Sequence, residues 1–197
     1  MVRLAEAALD AGPQPGDRPP APGELALVQA FLNSYWDLEE DFGADLLATP
    51  EALRRWLLAR GLITSDARVT ARDRAAAVAV RDGLRALLIA NNGEALDSEA
   101  VAALDREARA APVAVELAAG EPAFVPLPGR LDGALSAILS IVARSMLDGS
   151  WPRMKACRDD HCRWAFYDHS RNAASSWCSM SVCGGRAKQR AYYRRRR

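Results

Sequence analysis

Neither cysteine nor histidine occurs before Trp151 in this chain of 197 residues. The body upstream of Trp151 therefore has no means of building a Ser/His/Asp or Cys/His catalytic set. A glycine-rich phosphate loop is missing as well, which excludes the common nucleotide-binding domains. No stretch approaches the roughly 18–20 uncharged apolar residues of a membrane span. Acidic residues interrupt the N-terminus at Glu6 and Asp10, so no secretory signal peptide is expected. Internal repeats and coiled-coil heptads are absent too. These absences predict a cytoplasmic chain in a reducing compartment, with no membrane partner and no enzymatic site.

Apolar residues make up 50% of the sequence, enough for a genuine core. The net charge of +1 hides a division. Residues 1–150 carry 14 Arg against 22 Asp and Glu, a balance of −8. Residues 151–197 carry 12 Lys and Arg against 3 Asp, a balance of +9. Four metal-bound thiolates and one zinc ion would lower that to about +7. A compact basic segment beside an acidic body points to a polyanionic partner for the segment. The bland alternative is a basic tail that is only soluble.

Residues 1–23 are rich in proline and glycine, with few side chains able to pack, and read as a mostly flexible leader. Leu25, Leu27, Val28, Phe31 and Leu32 recur at helical spacing and predict a helix over 24–35. An acidic loop over 37–45 follows. Thr49-Pro50-Glu51 starts a helix, Leu53, Trp56, Leu57 and Leu58 supply its buried side, and Gly61 stops it. Thr70 caps a longer helix over 71–91, with Ala75, Val78, Val80, Leu84, Leu87 and Leu88 as its apolar positions and Asn91-Asn92-Gly93 as its end. Asp97-Ser98 starts another over 99–110. Alternation over Val113–Leu117, a turn at Ala119–Pro122 and the run Phe124–Leu127 predict a β-hairpin. A helix over Leu131–Leu147 buries Leu135, Ile138, Leu139, Ile141, Val142 and Met146. The fold class is mainly α: a helical domain over 24–150 with one small hairpin, then a small module over 151–197. Carboxylates are plentiful in the body, but most fall on solvated helix faces.

The module holds Cys157-x4-Cys162 and, after 15 residues, Cys178-x4-Cys183. Two close pairs joined by a loop let four thiolates converge on one tetrahedral ion. Zinc prefers this soft, closed set, and four protein ligands leave no position for substrate, so the metal is expected to be structural. Two disulfides, an iron–sulfur cluster or ligation by His161 or His169 are the competing readings. Both histidines read more simply as loop or surface residues. A segment with so few large aliphatics needs metal binding to fold, so zinc removal is expected to unfold the module but not the body.

Met180, Cys183, Ala187 and Ala191 fall on one face of a last helix, expected to point to metal and core. Arg186, Lys188, Gln189, Arg190, Tyr192 and Arg194 lie on the others. Arginine can fork onto guanine or phosphate, and Gln189 can pair with adenine. Arg153, Lys155, Arg158 and Arg171 can add phosphate contacts. Tyr192-Tyr193 can stack on unpaired bases, which keeps RNA open as a partner, and a protein partner stays open beside it.

Asp168-His-Ser-Arg-Asn172, Trp177-Cys-Ser-Met180 and Cys183-Gly-Gly-Arg186 with Ala187-Lys188 resemble the CGNR zinc finger. The body resembles the ABATE domain that usually precedes it, through Leu25–Asn33 and the stretch from Asp45 through Pro50 and Trp56 to Gly61-Leu62. The resemblance covers about 24–197 and implies a treble-clef-like module, a bound Zn2+ on Cys157, Cys162, Cys178 and Cys183, and DNA as partner. Proteins of this type are described as stress-induced transcription regulators of bacteria. Arg186 and Lys188 match the end of the finger's motif, which implies a DNA-binding role for them; Arg171, Gln189, Arg190 and Arg194 complete the candidate set. The body is left with a small-molecule effector, a homodimer contact or an enzymatic site of converging carboxylates or arginines as alternatives. Gly185 stands where the family motif has Asn, and Ser175-Ser176 where basic residues are expected; neither change touches a metal ligand.

Overall fold

The computed structural model describes residues 10–16, 18–35, 45–117, 123–126 and 131–196. Among them the body contains α1 (Leu25–Leu32), α2 (Pro50–Ala59), α3 (Ala71–Asn91), α4 (Ser98–Arg109), the strands β1 (Val113–Glu116) and β2 (Ala123–Pro126), and α5 (Leu131–Leu147). The module adds β3 (Met154–Ala156), β4 (Ala165–Tyr167) and α6 (Gly185–Arg194). The protein is mainly α, and its strands form two separate antiparallel hairpins, β1–β2 and β3–β4. Among the described residues no helix is long and apolar enough to cross a membrane.

Local chemistry sets the helix starts. Thr49 accepts a hydrogen bond from the Ala52 amide at 3.1 Å, and Pro50 fills the first helical position of α2. Thr70 and Asp73 form a reciprocal capping box on α3, the Asp73 carboxylate accepting from the Thr70 amide at 2.7 Å. The Asp97 carboxylate accepts from the amides of Glu99 and Ala100 at the start of α4.

Every residue of α1 is buried, which makes it the central helix of the core. α3 packs against α1, α2, α4, α5 and β3. It meets α4 at Gly83, where an added Cβ would lie 2.5 Å from Cβ of Leu104 and 2.7 Å from the Ala100 carbonyl oxygen. Glycine weakens a helix interior by roughly 1 kcal/mol, and this contact explains its presence there.

The body's buried cluster takes in the start of the module, while the four cysteines, Trp164 and Phe166 form a second cluster. Leu27, Phe31, Leu32, Leu57, Leu84, Leu88 and Ile138 share one buried cluster with Trp151, Met154, Ala156 and Ala165. β3 and β4 thus contribute Met154, Ala156 and Ala165 to the body's cluster and Phe166 to that of the metal site.

Four side chains read as buried are exposed: Leu58, Ala75, Met146 and Met180. In α3 the predicted Val80, Leu84 and Leu88 are buried, joined by Ala76, Ala77, Arg81, Gly83 and Ala86, while Val78 and Leu87 are half-buried. Met180 differs because Met180–Gly184 is a π turn, which breaks the register between Met180 and the later helix. The leader also differs from expectation, because part of it packs. The Arg18 guanidinium donates to the carbonyls of Cys178 (2.8 Å), Trp177 (3.0 Å) and Tyr167 (3.1 Å) and stacks on the Phe166 ring. The Ala21 amide donates to Oε1 of Gln29 at 2.7 Å. The predicted turn over Ala119–Pro122, Leu127, most of the acidic loop, Asp17 and the first nine residues lie outside the described residues.

Candidate metal centre

The β3–β4 hairpin supplies the first half of the site. Cys157 follows β3, and its amide donates to the Trp164 carbonyl at 2.9 Å. The chain then turns at Asp159, whose carbonyl accepts from the amides of Cys162 (2.9 Å) and Arg163 (3.0 Å). Arg163 adopts φ +48°, a left-handed conformation that a non-glycine residue holds only when its surroundings insist on it. They do: its guanidinium pairs with Glu94 and Asp160, and its carbonyl accepts from Arg85 at 2.6 Å.

The second half comes from Cys178 and from Cys183 in the π turn. Ser179 caps that turn, and the Gly184 amide donates to the Ser179 carbonyl at 3.0 Å. A side chain at Gly184 would press on the Met180 thioether, with a Cβ 2.8 Å from Sδ. At Gly185 the nearest neighbour of such a Cβ is the Met180 carbonyl oxygen at 3.7 Å, so the position has room.

The four sulfurs are buried and lie within 4.8 Å of one another. Cys162 and Cys178 are 3.6 Å apart, as are Cys178 and Cys183. Zinc–sulfur bonds of about 2.3 Å place tetrahedral sulfurs roughly 3.8 Å apart, so the donor set fits one zinc ion. Disulfide bonding would need about 2.05 Å, and all four cysteines are free. His161 and His169 are exposed, and Nε2 of His169 is engaged with the Pro20 carbonyl. The four thiols also perturb one another. Cys157 is driven well below its ordinary value by hydrogen bonds from Cys162, Cys178 and Cys183, while Cys178 is driven up through Cys157, Cys162 and Cys183. Four adjacent thiolates cannot share a buried pocket without a cation, and a divalent ion resolves that conflict.

Polar side chains from the body pin this centre in place. Asn33 brackets Ala165, donating to its carbonyl at 3.0 Å and accepting from its amide at 2.8 Å. Asn92 donates to the carbonyls of Ala156 (2.8 Å) and Ser176 (3.0 Å), and Asn91 to those of Trp151 and Met154. Arg85 reaches from α3 to the carbonyls of Leu32, Tyr35 and Arg163, and burial pushes its pKa down to about 10. In the sequence Asn91-Asn92 signals only a helix end, and nothing marks Asn33 or Arg18 as docking residues, because the carbonyls they serve are distant in the chain.

A buried ion pair shapes the loop between the two halves. Nζ of Lys155 lies 3.0 Å from Oδ2 of Asp168 and donates to the carbonyls of Ala173 and Ser175. Asp168 also accepts from the Ser170 amide and hydroxyl and from the Ser175 amide.

The proposed nucleic-acid contacts fall into two groups. Arg186, Lys188, Gln189 and Arg194 are exposed on α6, and Arg171 is exposed on the separate turn Ser170–Ala173. Arg190 is engaged: its guanidinium lies 3.0 Å from the Asp159 carboxylate. Of the further phosphate candidates, Lys155 is buried, Arg153 serves the carbonyls of Asp168 and Ser170, and Arg158 that of Asn92. Those three are part of the scaffold, a role that charge counting cannot distinguish from a solvated one.

A helical body fused through its core to a four-cysteine module defines the class: a zinc-finger protein with an α-helical N-terminal domain. The CGNR zinc finger family matches residues 153–196. The ABATE model, "Putative stress-induced transcription regulator", matches residues 25–149, and the chain belongs to this family. The four cysteines are its structural zinc site. A comparison with characterised proteins gives no significant match.

Proposed function

We propose that the protein is a cytoplasmic DNA-binding regulator of transcription in which zinc holds α6 in position to lie against DNA. One observation carries this reading: α6 leaves directly from the turn that holds Cys183 and displays Arg186, Lys188, Gln189 and Arg194 to solvent. No residue of α6 is buried, so the helix is a presented element rather than a core one. The family description supports a transcriptional role. Four protein ligands complete a tetrahedron, so the metal has no open position for catalysis.

The exposed tyrosines favour a second reading. Tyr192 and Tyr193 stand 5.6 Å apart with tilted rings, and Arg196 stacks on Tyr192. Such a surface suits unpaired bases.

The test is a binding titration of the zinc-loaded protein against duplex DNA, single strands and structured RNA at several salt concentrations, with and without chelator. The duplex is expected to bind most tightly, with an affinity that falls with salt and is lost on chelation. No salt-dependent affinity for duplex DNA would end the reading; a preference for single strands would replace it with the second.

A further inference from the structure

We infer that Asp159 is a positioning residue for α6, and that it acts by holding Arg190 across the metal centre. The inference rests on the DNA-binding reading and changes the role of one of its residues. Asp159 lies between Cys157 and Cys162, in the first half of the site, whereas Arg190 lies in the helix that leaves the second half. Their side chains meet at 3.0 Å. The Asp159 side chain is 3% exposed and that of Arg190 50% exposed. A buried carboxylate needs a cation to offset its lost hydration, and among the described residues Arg190 meets it. The carboxylate also accepts from the backbone amide of His161 at 3.4 Å.

The geometry of α6 gives this pair its consequence. The helix buries no residue of its own, and Ala187 and Ala191 are only half-buried. Its one covalent anchor is the turn containing Cys183, so it projects like a cantilever. A second fixed point two turns along sets its direction and its rotation about its own axis.

Successive residues turn by about 100° in an α-helix. With Ala187, Arg190 and Ala191 facing the module, Gln189 and Tyr192 share the opposite face, about 30° to either side of its centre. Arg186 and Tyr193 flank them on one side and Lys188 on the other, and all five are exposed, while Arg194 falls one turn beyond Arg190 on the module-facing side, exposed past the module's edge. Asp159 therefore selects which residues reach the nucleic acid, and Arg190 is withheld from it.

Full-length zinc-loaded protein, Asp159→Asn, Arg190→Gln and the double variant are compared for zinc content, duplex affinity against salt, and amide exchange in α6. Both single variants are expected to keep zinc, to bind DNA about tenfold more weakly because the helix is no longer preorganised, and to exchange faster in α6. The double variant should be no weaker than either single one. The salt slope should stay unchanged, since no phosphate contact is lost. Should Arg190 contact DNA directly, Arg190→Gln alone would weaken binding and flatten the slope by about one unit, and Asp159→Asn would strengthen it; that pattern overturns the proposal. Arg190→Gln sits at a half-exposed helix position and decides the matter if Asp159→Asn fails to load zinc. If the wild-type protein binds no DNA, the functional reading falls, while unchanged exchange in α6 would separately overturn the positioning role.

Discussion

Asp168 and Lys155 form a fully buried ion pair, with Oδ2 and Nζ 3.0 Å apart and side chains 0% and 6% exposed. Removing one partner of such a pair leaves the other charge uncompensated, at a cost of about 3 kcal/mol. Asp168→Asn is thus expected to destabilise the protein by that order and to loosen the turn that carries Arg171. Denaturant titration measures the first effect and amide exchange at Ser170–Ser175 the second. A variant as stable as wild type would show that the pair contributes nothing.

The same carboxylate predicts a pH dependence. Burial alone would raise the Asp168 pKa, but hydrogen bonds from Ser170, Lys155 and Ser175 outweigh it and hold the carboxyl far below its ordinary range. A group whose folded pKa is depressed contributes stability above its unfolded value and loses it as pH falls toward the folded one. The contribution is full above about pH 5 and declines as pH drops through and below 4. Stability of wild type minus that of Asp168→Asn should shrink over this acid window, measured in zinc-saturated samples down to the pH at which metal is released.

Chelation tests how far the module belongs to the body. Because Trp151, Met154, Ala156 and Ala165 sit in the body's own cluster, metal loss should weaken the helices upstream as well. A fall of about 5–10 °C in their thermal midpoint corresponds to a few kcal/mol in a chain this size. Circular dichroism followed during EDTA titration reports it. A body transition unmoved by chelator would instead support two independent units.

Asn92→Ala removes the donor shared by the carbonyls of Ala156 and Ser176, leaving the first of them buried without that partner. The expected loss is about 1–3 kcal/mol, with an increase in the rate of zinc release to a chromophoric chelator. Unchanged release would show that the body holds the module without influencing its metal.

Two glycines should respond in opposite ways. Gly83→Ala drives a methyl group into Leu104 and the Ala100 carbonyl and is expected to cost about 2–3 kcal/mol. Gly185→Asn supplies the residue of the family motif at a helical position with open space, and should keep zinc while stabilising α6 by a few tenths of a kcal/mol. Thermal melts of both variants decide.

The sequence alone determined whatever depends on near neighbours. Thr49, Thr70 and Asp97 mark their helices because a capping oxygen acts on amides two or three residues away. The four cysteines were legible because tetrahedral ligation requires two close pairs, whatever the fold around them. Only the tertiary structure decided the fate of the charges. Arg18, Lys155, Arg158 and Arg190 look alike in sequence to Arg171 and Arg186, yet the first four serve carbonyls or carboxylates of the scaffold, many of them distant in the chain. A guanidinium's role follows from which acceptor lies within 3 Å, and for these side chains folding chooses that acceptor.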